Sequence, residues 1–495
     1  MGALAKISIV LLLLVQAYSC AALRNQQTAW VTKHLHRRKS METQTNRVGK
    51  RKLLAEETTE KTLSNGWRAT LIRSSRKVVT EKLTSFEKTL QDVEMSKKRT
   101  MFLFKGSGKA KTLRKLLGQE EFESEVEATP GEYSMEFSIG TPPQNFVAIA
   151  DTGSDLVWLQ CVQCNPCFNS SAKFDPSLSS TYQALGCGPS CDVLGPDNQL
   201  ACTPSCQYSY GYGDNSTTIG NFSVETIWLT DGAGDTVSVA NFLFGCGLEN
   251  TGLFDGTNGL VGLGRGPLSF PSQISQILNS NKFSYCLLTS SDVTDKSPIL
   301  FGETAVPDGL IRSTPLLPLP AHFITSFYYV SLVDISVGGS PLSIPSTSFQ
   351  LNVTTEQGGV LFDSGTTYTT LESSAYQLVI GAFKRGIETL NPSISPVDLL
   401  DLTGLEVCYG VTGFDTVVIP ALTFHFDSAD FDLPADNTME KFTDESSNNF
   451  ICLALTESPV ASSSIFGNRQ QQNFQVLYDL DNGSIGWVPA DCASI

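Results

Sequence analysis

The sequence predicts an all-β protein with two homologous lobes, and three observations support this fold class. From Glu132 onward, short runs of β-forming residues are separated by Gly, Pro, Asn and Asp. An apolar run that ends in Asp, hydroxyl residue, Gly, hydroxyl residue occurs twice, at 151–154 and again 212 positions later at 363–366. An apolar-apolar-Gly element follows each copy, at 260–262 and 465–467. Elements that recur at similar spacing indicate a duplicated lobe.

Composition divides the chain into four expected regions. Residues 1–22 combine Lys6, an apolar run and small residues, which is typical of a signal peptide; the apolar run is too short for a membrane anchor. Residues 23–117 form a basic segment that we interpret as a partly helical prosegment. The composition turns acidic at Gly118, so the mature chain is expected to start between about 110 and 131. We place the two lobes at 118–310 and 311–495.

The charge distribution suggests how the prosegment is held. Residues 21–117 contain 24 Lys and Arg against 8 Asp and Glu, whereas residues 118–495 contain 9 against 42. A basic arm can bind nucleic acid, but an acidic body would repel phosphate, so no nucleic-acid partner is expected. The acidic body is the expected partner of the arm. Acid would weaken this attraction by protonating carboxylates, which gives a hypothesis of acid-triggered activation.

The two Asp motifs point to a specific chemistry. One such motif is explained by a turn in which Asp caps the backbone and Gly adopts a positive φ. Two copies on two lobes favour a pair of carboxylates, Asp151 and Asp363, that hold one water between them. One carboxylate takes a proton from the water while the other, protonated, polarises an amide carbonyl. Such a pair shares one proton in acid, because two close carboxylates cannot both ionise.

A second candidate element lies between the two motifs. Tyr212 begins the segment Tyr-Gly-Asp-Asn, whose turn chemistry predicts the tip of a hairpin. An ordinary surface hairpin is the alternative interpretation. Trp158 follows Asp151 by seven residues. Tyr and Trp combine apolar bulk with a polar tip, which suits a lid that excludes water from a site.

The chain resembles the pepsin-like aspartic proteases, and within them the plant nepenthesin-like branch. The similarity runs from about Glu132 to Cys492 and includes both Asp motifs and the segments 137–146, 258–270 and 465–474. It implies the bilobal pepsin-like fold with a cleft between the lobes, and an endopeptidase made as a zymogen. It also implies a removable inhibitory prosegment that places a basic side chain near the dyad, without indicating which one.

The resemblance assigns roles to individual residues. Asp151 and Asp363 match the catalytic pair, Tyr212 and Gly213 match the flap, and Trp158 matches the partner of the flap Tyr. The residues expected to support the dyad are Thr152, Gly153, Ser154, Ser364, Gly365 and Thr366. One departure is Asn215, where many relatives have Gly.

Thirteen cysteines are present, and Cys20 falls in the predicted signal peptide. The remaining twelve include a Cys-x-x-Cys-x-x-Cys cluster that could bind zinc, but behind a signal peptide disulfides are favoured. The sequence alone does not determine their pairing. Resemblance to the nepenthesin-like branch implies the pairs Cys161–Cys164, Cys167–Cys246, Cys187–Cys206, Cys191–Cys202, Cys286–Cys492 and Cys408–Cys452.

Further patterns constrain cofactors, partners and location. Five glycosylation sequons begin at Asn169, Asn215, Asn221, Asn352 and Asn482 and are consistent with secretion, to the extracellular space or the vacuole. Only His322 and His425 lie in the predicted body, without a two-His spacing, so neither a metal nor another cofactor is expected. We expect a monomer whose partners are protein or peptide substrates. The alternative function is that of a catalytically silent relative that binds or inhibits a secreted protein such as a cell-wall glycosidase.

Overall fold

Short strands follow one another along most of the chain in the computed structural model. The structure describes residues 66–73, 84–105 and 133–495, apart from gaps at 196–197, 201, 203, 213–215, 231–235, 253, 255, 290–295, 321–325 and 356. The predicted signal peptide, much of the predicted prosegment and the predicted start of the mature chain lie outside these residues. Within the described part of the chain, the strands form four sheets, of which the largest has 14 strands.

The prosegment and the first lobe supply the first eleven described strands. They are β1 (Trp67–Arg73), β2 (Tyr133–Ile139), β3 (Gln144–Asp151), β4 (Trp158–Gln160), β5 (Gln183–Ala184), β6 (Gln207–Gly211), β7 (Thr217–Thr230), β8 (Thr236–Thr251), β9 (Gly259–Gly262), β10 (Lys282–Cys286) and β11 (Lys296–Phe301).

The second lobe supplies the remaining described strands. They are β12 (Arg312–Pro315), β13 (Tyr328–Val330), β14 (Leu332–Val337), β15 (Ser340–Pro341), β16 (Leu351–Asn352), β17 (Gln357–Phe362), β18 (Thr369–Leu371), β19 (Ser395–Val397), β20 (Cys408–Gly410), β21 (Leu422–Phe426), β22 (Ala429–Leu433), β23 (Met439–Thr443), β24 (Asn449–Leu453), β25 (Leu455–Glu457), β26 (Ser463–Phe466), β27 (Phe474–Asp479) and β28 (Ser484–Pro489).

Helices are few and mostly short. The described helices are α1 (Ser85–Lys105), α2 (Pro189–Asp192), α3 (Phe270–Leu278), α4 (Ser373–Leu390), α5 (Leu400–Thr403), α6 (Ala435–Thr438) and α7 (Asn468–Gln471), with 3-10 turns at Pro176–Leu178, Gly302–Ala305 and Ser346–Ser348. None of the helices in the described residues is both long and apolar enough to cross a membrane.

Strand β1, which lies in the predicted prosegment, is built into the centre of the largest sheet. It pairs antiparallel with β11 from Trp67 to Ile72 and with β2 from Leu71 to Arg73. Alternate side chains of β1 point into the core, because successive residues of a strand face opposite sides of the sheet. Trp67 and Leu71 are 4% and 2% exposed, and the Trp67 ring stacks on Phe301 with a centroid separation of 5.0 Å. This part of the prosegment therefore contributes to the hydrophobic core.

The two lobes repeat one local topology around the Asp motifs. In the first lobe β3 pairs in parallel with β9, so that Asp151 lies opposite Gly262. In the second lobe β17 pairs in parallel with β26 over its last four residues. Gly262 and Gly467 both pass so close to neighbouring backbone that a Cβ would overlap it. The duplicated pattern predicted from the sequence is thus present in the three-dimensional structure.

The structure corrects four of the six predicted disulfide pairings. The bridges Cys286–Cys492 and Cys408–Cys452 form as expected. The predicted pairs Cys161–Cys164 and Cys167–Cys246 are replaced by Cys161–Cys246 and Cys164–Cys167. The reason is that β4 and β8 are parallel neighbours, which places Cys161, directly after β4, beside Cys246 with 5.5 Å between their Cα atoms.

The other two corrected disulfide pairings lie in the Cys-rich insert, residues 187–206. The predicted pairs Cys187–Cys206 and Cys191–Cys202 are replaced by Cys187–Cys202 and Cys191–Cys206. Cys191 lies in α2 and is fully buried together with Cys206, so these two thiols meet in the interior. The other bridge lies nearer the surface, where Cys187 is exposed.

Candidate active site

The two aspartates of the repeated motif lie at the ends of corresponding strands. Asp151 is the last residue of β3, and Asp363 directly follows β17. Both residues are only 1% exposed. Strand β3 lies parallel to β9, and β17 lies parallel to β26. Each Asp therefore stands at the carboxyl end of a pair of parallel strands. The duplicated fold therefore brings together two buried carboxyl groups that are far apart in sequence.

Each carboxyl is fixed by its own loop in the same way. The Ser154 hydroxyl donates to Asp151 Oδ2 over 2.6 Å, and the Gly153 N–H donates to Asp151 Oδ1 over 2.9 Å. In the second loop the Thr366 hydroxyl donates to Asp363 Oδ2 over 2.5 Å, and the Gly365 N–H donates to Asp363 Oδ1 over 3.2 Å. Hydrogen bonds to a carboxylate favour its ionised form and fix its orientation.

Hydroxyl groups also join the two loops across the lobes. The Ser364 N–H donates to Thr152 Oγ1 over 2.8 Å, and the two hydroxyl oxygens of Thr152 and Ser364 lie 3.2 Å apart. Thr152 Oγ1 is also 3.2 Å from Asp363 Oδ1. All three residues are buried, so these bonds are shielded from water. The arrangement ties the position of one carboxyl to that of the other.

Helix α1, in the predicted prosegment, places the Arg99 side chain on both carboxyls. Arg99 Nε donates to Asp363 Oδ2 over 2.5 Å, and Nη2 donates to Asp363 Oδ1 over 3.0 Å. The same Nη2 donates to Asp151 Oδ1. Gly153 and Gly365 make this approach possible, because a Cβ on either residue would overlap the guanidinium. Sequence reasoning expected a basic side chain near the dyad but did not identify Arg99, one of three consecutive basic residues.

This contact changes the acidity of the groups involved. Burial on its own raises the pKa of Asp363, but the charge and hydrogen bonds of Arg99, with those from Thr366 and Gly365, hold the pKa below its usual value. Burial on its own lowers the pKa of Arg99, but Asp151 and Asp363 together raise it above its usual value. The ionised Asp363 carboxylate and the charged Arg99 guanidinium therefore stabilise one another in this site.

The rest of α1 packs on the second lobe on both sides of Arg99. Toward its start, the Phe86 ring stacks on Phe442 with a centroid separation of 4.9 Å. Toward its end, Leu103 and Phe104 are 5% and 2% exposed and join a cluster that includes Tyr329. Between them, the hydroxyls of Thr100 and Thr370 lie 3.0 Å apart. The helix thus covers the Asp363 side of the site over several turns.

The predicted flap residue lies on the first-lobe side of the site. The hairpin of β6 and β7 carries Tyr212, whose N–H donates to the Ser216 carbonyl over 2.8 Å. Trp158 Nε1 donates to the Tyr212 hydroxyl oxygen over 2.7 Å, and both side chains are buried. The aromatic cluster around them includes Phe254. Gly213 and Asn215, also assigned to the flap, lie outside the described residues.

A third buried carboxyl, Asp155, was not singled out in the sequence. Its Oδ1 accepts from the Gly266 N–H over 2.8 Å, and its Oδ2 accepts from the Ser326 hydroxyl. Gly264 and Gly266 have no room for a Cβ because Asp155 fills that space. Burial raises the pKa of Asp155 above its usual value, despite these two hydrogen bonds. Asp155 therefore connects the first Asp loop to Gly266 of the first lobe and to Ser326 of the second lobe.

No group of three or more His, Cys, Asp or Glu side chains in the described part of the chain is arranged to hold a metal ion. The site as described consists of carboxyl and hydroxyl groups around one guanidinium. Such a set of groups can take up, hold and release protons.

Comparisons with known proteins define the class and then the family. Two family models match the chain, "Xylanase inhibitor N-terminal" over residues 133–303 and "Xylanase inhibitor C-terminal" over residues 327–489. A solved structure described as "Crystal structure of edgp" is 21% identical, covers 73% of this chain and 92% of its own, and has a TM-score of 0.61. Basic 7S globulin from soybean gives a TM-score of 0.58 at 20% identity, over 73% of this chain and 93% of its own. The all-β, bilobal fold of the pepsin-like aspartic proteases is thereby confirmed.

Comparison with curated relatives identifies the family to which the chain belongs within this fold class. Aspartic proteinase nepenthesin-1 of Nepenthes gracilis is 39% identical over 426 residues, which are 83% of this chain and 92% of that protein. Aspartic proteinase nepenthesin-2 of the same plant is 40% identical over 380 residues, 75% of this chain and 80% of that protein. The chain belongs to the nepenthesin-like family of plant aspartic proteases. The family models are named after inhibitors, so membership alone does not establish catalysis.

Proposed function

We propose that this protein is an acid endopeptidase of the aspartic type, made as a zymogen, with Asp151 and Asp363 as its catalytic dyad. One observation carries the proposal: a single nitrogen, Arg99 Nη2, reaches an oxygen of each carboxyl. After the helix leaves, a water in the same place is within reach of both groups. The hydroxyls of Ser154 and Thr366 hold the other carboxyl oxygens, as a rigid dyad requires.

The reaction follows from the shared proton of the pair. The ionised carboxylate takes a proton from the water, and the water oxygen attacks the carbonyl carbon of the scissile peptide. The protonated carboxyl gives its proton to the carbonyl oxygen, which produces a neutral tetrahedral intermediate. The carboxyl that took the proton from water then gives it to the amide nitrogen, while the other carboxylate takes a proton back from one hydroxyl of the intermediate. The C–N bond breaks, the amine and the new carboxylic acid are released, and the pair again holds one proton. The substrate would lie extended in the cleft beneath Tyr212, bound through its backbone.

The prosegment would act as an intramolecular inhibitor that acid releases. Arg99 occupies the position of the catalytic water and neutralises both carboxyls. Because the pKa of Asp363 is lowered by this contact, the stabilisation is complete above the usual carboxyl pKa of about 3.9 and is lost as pH falls through the lowered value. Acid therefore weakens the docking of α1, in agreement with the acid-triggered activation suggested by the charge distribution.

The alternative is a catalytically silent protein that binds another secreted protein. The names of the two family models favour it, since both refer to xylanase inhibitors. The presence of both aspartates, both supporting hydroxyls and Tyr212 favours catalysis instead. The two functions differ in what acid does: a protease becomes active, whereas a binder only loses its prosegment.

We also propose that the protein passes through the secretory pathway. Six disulfides among the described residues suit an oxidising compartment, either the extracellular space or the vacuole. Asn169, Asn352 and Asn482 are exposed, as glycan acceptors must be, and Asn221 is half-buried. We propose a monomer that acts on protein or peptide substrates without a cofactor.

The test is incubation of the purified full-length protein across about pH 2 to 7, a range that spans carboxyl titration. Loss of the prosegment and cleavage of an acid-denatured protein are followed together. Activity that appears only in acid, and is lower by about 10³-fold or more in Asp151→Asn and Asp363→Asn, is the expected result. A chain that keeps its fold, loses the prosegment to an added protease and still cleaves nothing at any pH would contradict the proposal and favour the binding function.

A further inference from the structure

The flap strand β6 has a second neighbour besides β7. On one side its residues pair with β7 from Gln207 to Gly211. On the other side, the Leu200 N–H donates to the Gln207 carbonyl over 3.0 Å, and the Ser209 N–H donates to the Asn198 carbonyl over 2.9 Å. The Cys-rich insert therefore occupies the edge of β6 that faces away from β7. An edge strand with unpaired backbone groups is easily displaced, whereas a strand paired on both sides is not.

Covalent and buried contacts strengthen the same attachment. Cys206 directly precedes β6 and is joined to Cys191 by a bridge whose two cysteines are fully buried. The Cys206 N–H donates to the Leu185 carbonyl over 2.8 Å, and its own carbonyl accepts from the Phe222 N–H over 2.9 Å. Leu194 of the insert is 3% exposed. The base of the hairpin is thus held by a disulfide, a backbone ladder and apolar packing.

From this base, contacts lead to the flap Tyr. Tyr208 of β6 is fully buried, and its hydroxyl lies 2.9 Å from that of Thr218 on β7. The Tyr210 ring lies 5.3 Å from the Tyr212 ring, centroid to centroid. Cys191, Leu194, Tyr208 and Tyr212 belong to one buried cluster. A shift of the insert relative to β6 would therefore change the position of Tyr212.

We propose that the Cys-rich insert is a positioning element for the flap: it holds β6 so that Tyr212 stays hydrogen-bonded to Trp158 before substrate arrives. This inference rests on the proposed peptidase function and adds to it a determinant of substrate affinity. A flap already in place loses little conformational freedom on binding, which lowers the Michaelis constant KM. None of the described residues of the insert is hydrogen-bonded to the carboxyl groups of Asp151 or Asp363.

The test uses a proline at the outer edge of β6. Leu200→Pro removes the N–H that donates to Gln207 and leaves the side chains of the flap unchanged. Leu200→Ala is the matched control, because it shortens the same exposed side chain and keeps the N–H. Amide hydrogen exchange of β6 is measured in the full-length protein at neutral pH. KM and kcat are measured after acid activation.

We expect exchange in β6 to become about fivefold faster in Leu200→Pro, as for loss of one backbone hydrogen bond, and to stay unchanged in Leu200→Ala. KM should rise several-fold with little change in kcat, since the flap must be ordered by the substrate. Equal exchange and equal KM in the two variants would overturn the inference.

A second variant guards against failure of Leu200→Pro to fold. The double substitution Cys187→Ser with Cys202→Ser removes the bridge that lies nearer the surface and leaves the buried Cys191–Cys206 bridge in place. Like Leu200→Pro, it should make amide exchange in β6 faster and should raise KM. Unchanged exchange and unchanged KM would contradict the proposed positioning role of the insert. If the wild-type protein cleaves no substrate, the peptidase proposal fails, but the exchange measurement still decides whether the insert holds the flap.

Discussion

The two lobes contain almost the same Asp loop, and a different element covers each of them. In each loop a hydroxyl three residues after the Asp holds one carboxyl oxygen, and a glycine N–H holds the other. The first-lobe cover is the β6–β7 hairpin with Tyr212, the predicted flap, which the Cys-rich insert borders. The cover on the Asp363 side is α1, which belongs to the predicted prosegment. Under the proposed function, the repeated part of the lobes supplies the chemistry, and the unrepeated parts control access to it.

The difference is also visible in the contacts of Arg99. Its guanidinium makes two hydrogen bonds to Asp363 and one to Asp151. The apolar residues of α1 on both sides of Arg99 pack on the second lobe. The cover of the first lobe belongs to that lobe, and the Cys191–Cys206 bridge attaches its base to the insert. The cover of the second lobe includes the ion pairs of Arg99, and under the proposed activation it is the one that acid removes.

The largest effect is expected for Arg99→Met, which removes the charge that holds the second cover. Loss of one partner of a buried ion pair costs about 3 kcal/mol or more, so docking of α1 should weaken by about 100-fold. Cleavage within α1 by an added glutamate-specific protease should become correspondingly faster at neutral pH. Peptidase activity should also appear closer to neutral pH than in the wild type.

The matched control for Arg99→Met is Lys98→Met, which removes one positive charge from the neighbouring position of the same helix. If the general attraction between a basic arm and an acidic body holds α1, the two variants will behave alike. If the specific contact with the dyad holds it, only Arg99→Met will change. Equal cleavage rates in the two variants would therefore refute the role assigned to Arg99.

A smaller effect is expected on the first-lobe side from Trp158→Phe. The substitution removes the N–H that donates to the Tyr212 hydroxyl and keeps an aromatic ring in the cluster. One hydrogen bond contributes about 1 kcal/mol, so kcat/KM should fall about fivefold to tenfold. The acid dependence of prosegment loss should not change, because α1 packs on the other lobe. A shifted activation pH in this variant would show that the two covers are coupled.

The smallest effect concerns Asp155, which joins the two lobes. The pKa of Asp155 is raised by burial, so its ionisation destabilises the folded protein. Its stabilising contribution is complete below the usual carboxyl pKa and is lost as pH rises through the raised value. Asp363 behaves in the opposite way, since its pKa is lowered.

Asp155→Asn removes this titration while keeping the shape of the side chain. Thermal unfolding is measured at about pH 4 and at about pH 7 for the variant and the wild type. The variant should gain less stability on acidification than the wild type, with a difference of no more than a few degrees in Tm. An unchanged pH dependence would mean that Asp155 does not titrate as its burial indicates.

The sequence was sufficient to predict those features of the fold and the site that depend on repeated motifs and local sequence patterns. The fold class, the two Asp loops and the positions of Thr152 and Ser364 all followed from motifs that recur in the chain. The position of Arg99 did not, because Lys97, Lys98 and Arg99 share one charge pattern and only the packing of α1 selects the residue that reaches the dyad. The pairing of Cys161 with Cys246 also depends on strand adjacency, which is a long-range property. Asp155 was missed because its partner Ser326 comes from the other side of the site.

Strand β1 has a consequence for how the chain reaches its folded state. Its buried residues fill the space between β2 and β11, and its pairing with β11 joins Trp67 to Phe301. Contacts between residues so distant in sequence form slowly, and during synthesis β1 must wait until nearly the whole first lobe has been made. The earliest described strand to leave the ribosome can pair with β2 early, but it must wait for its other neighbour, β11. A chain that begins at Tyr133 would lack the strand that lies between β2 and β11 in its largest sheet.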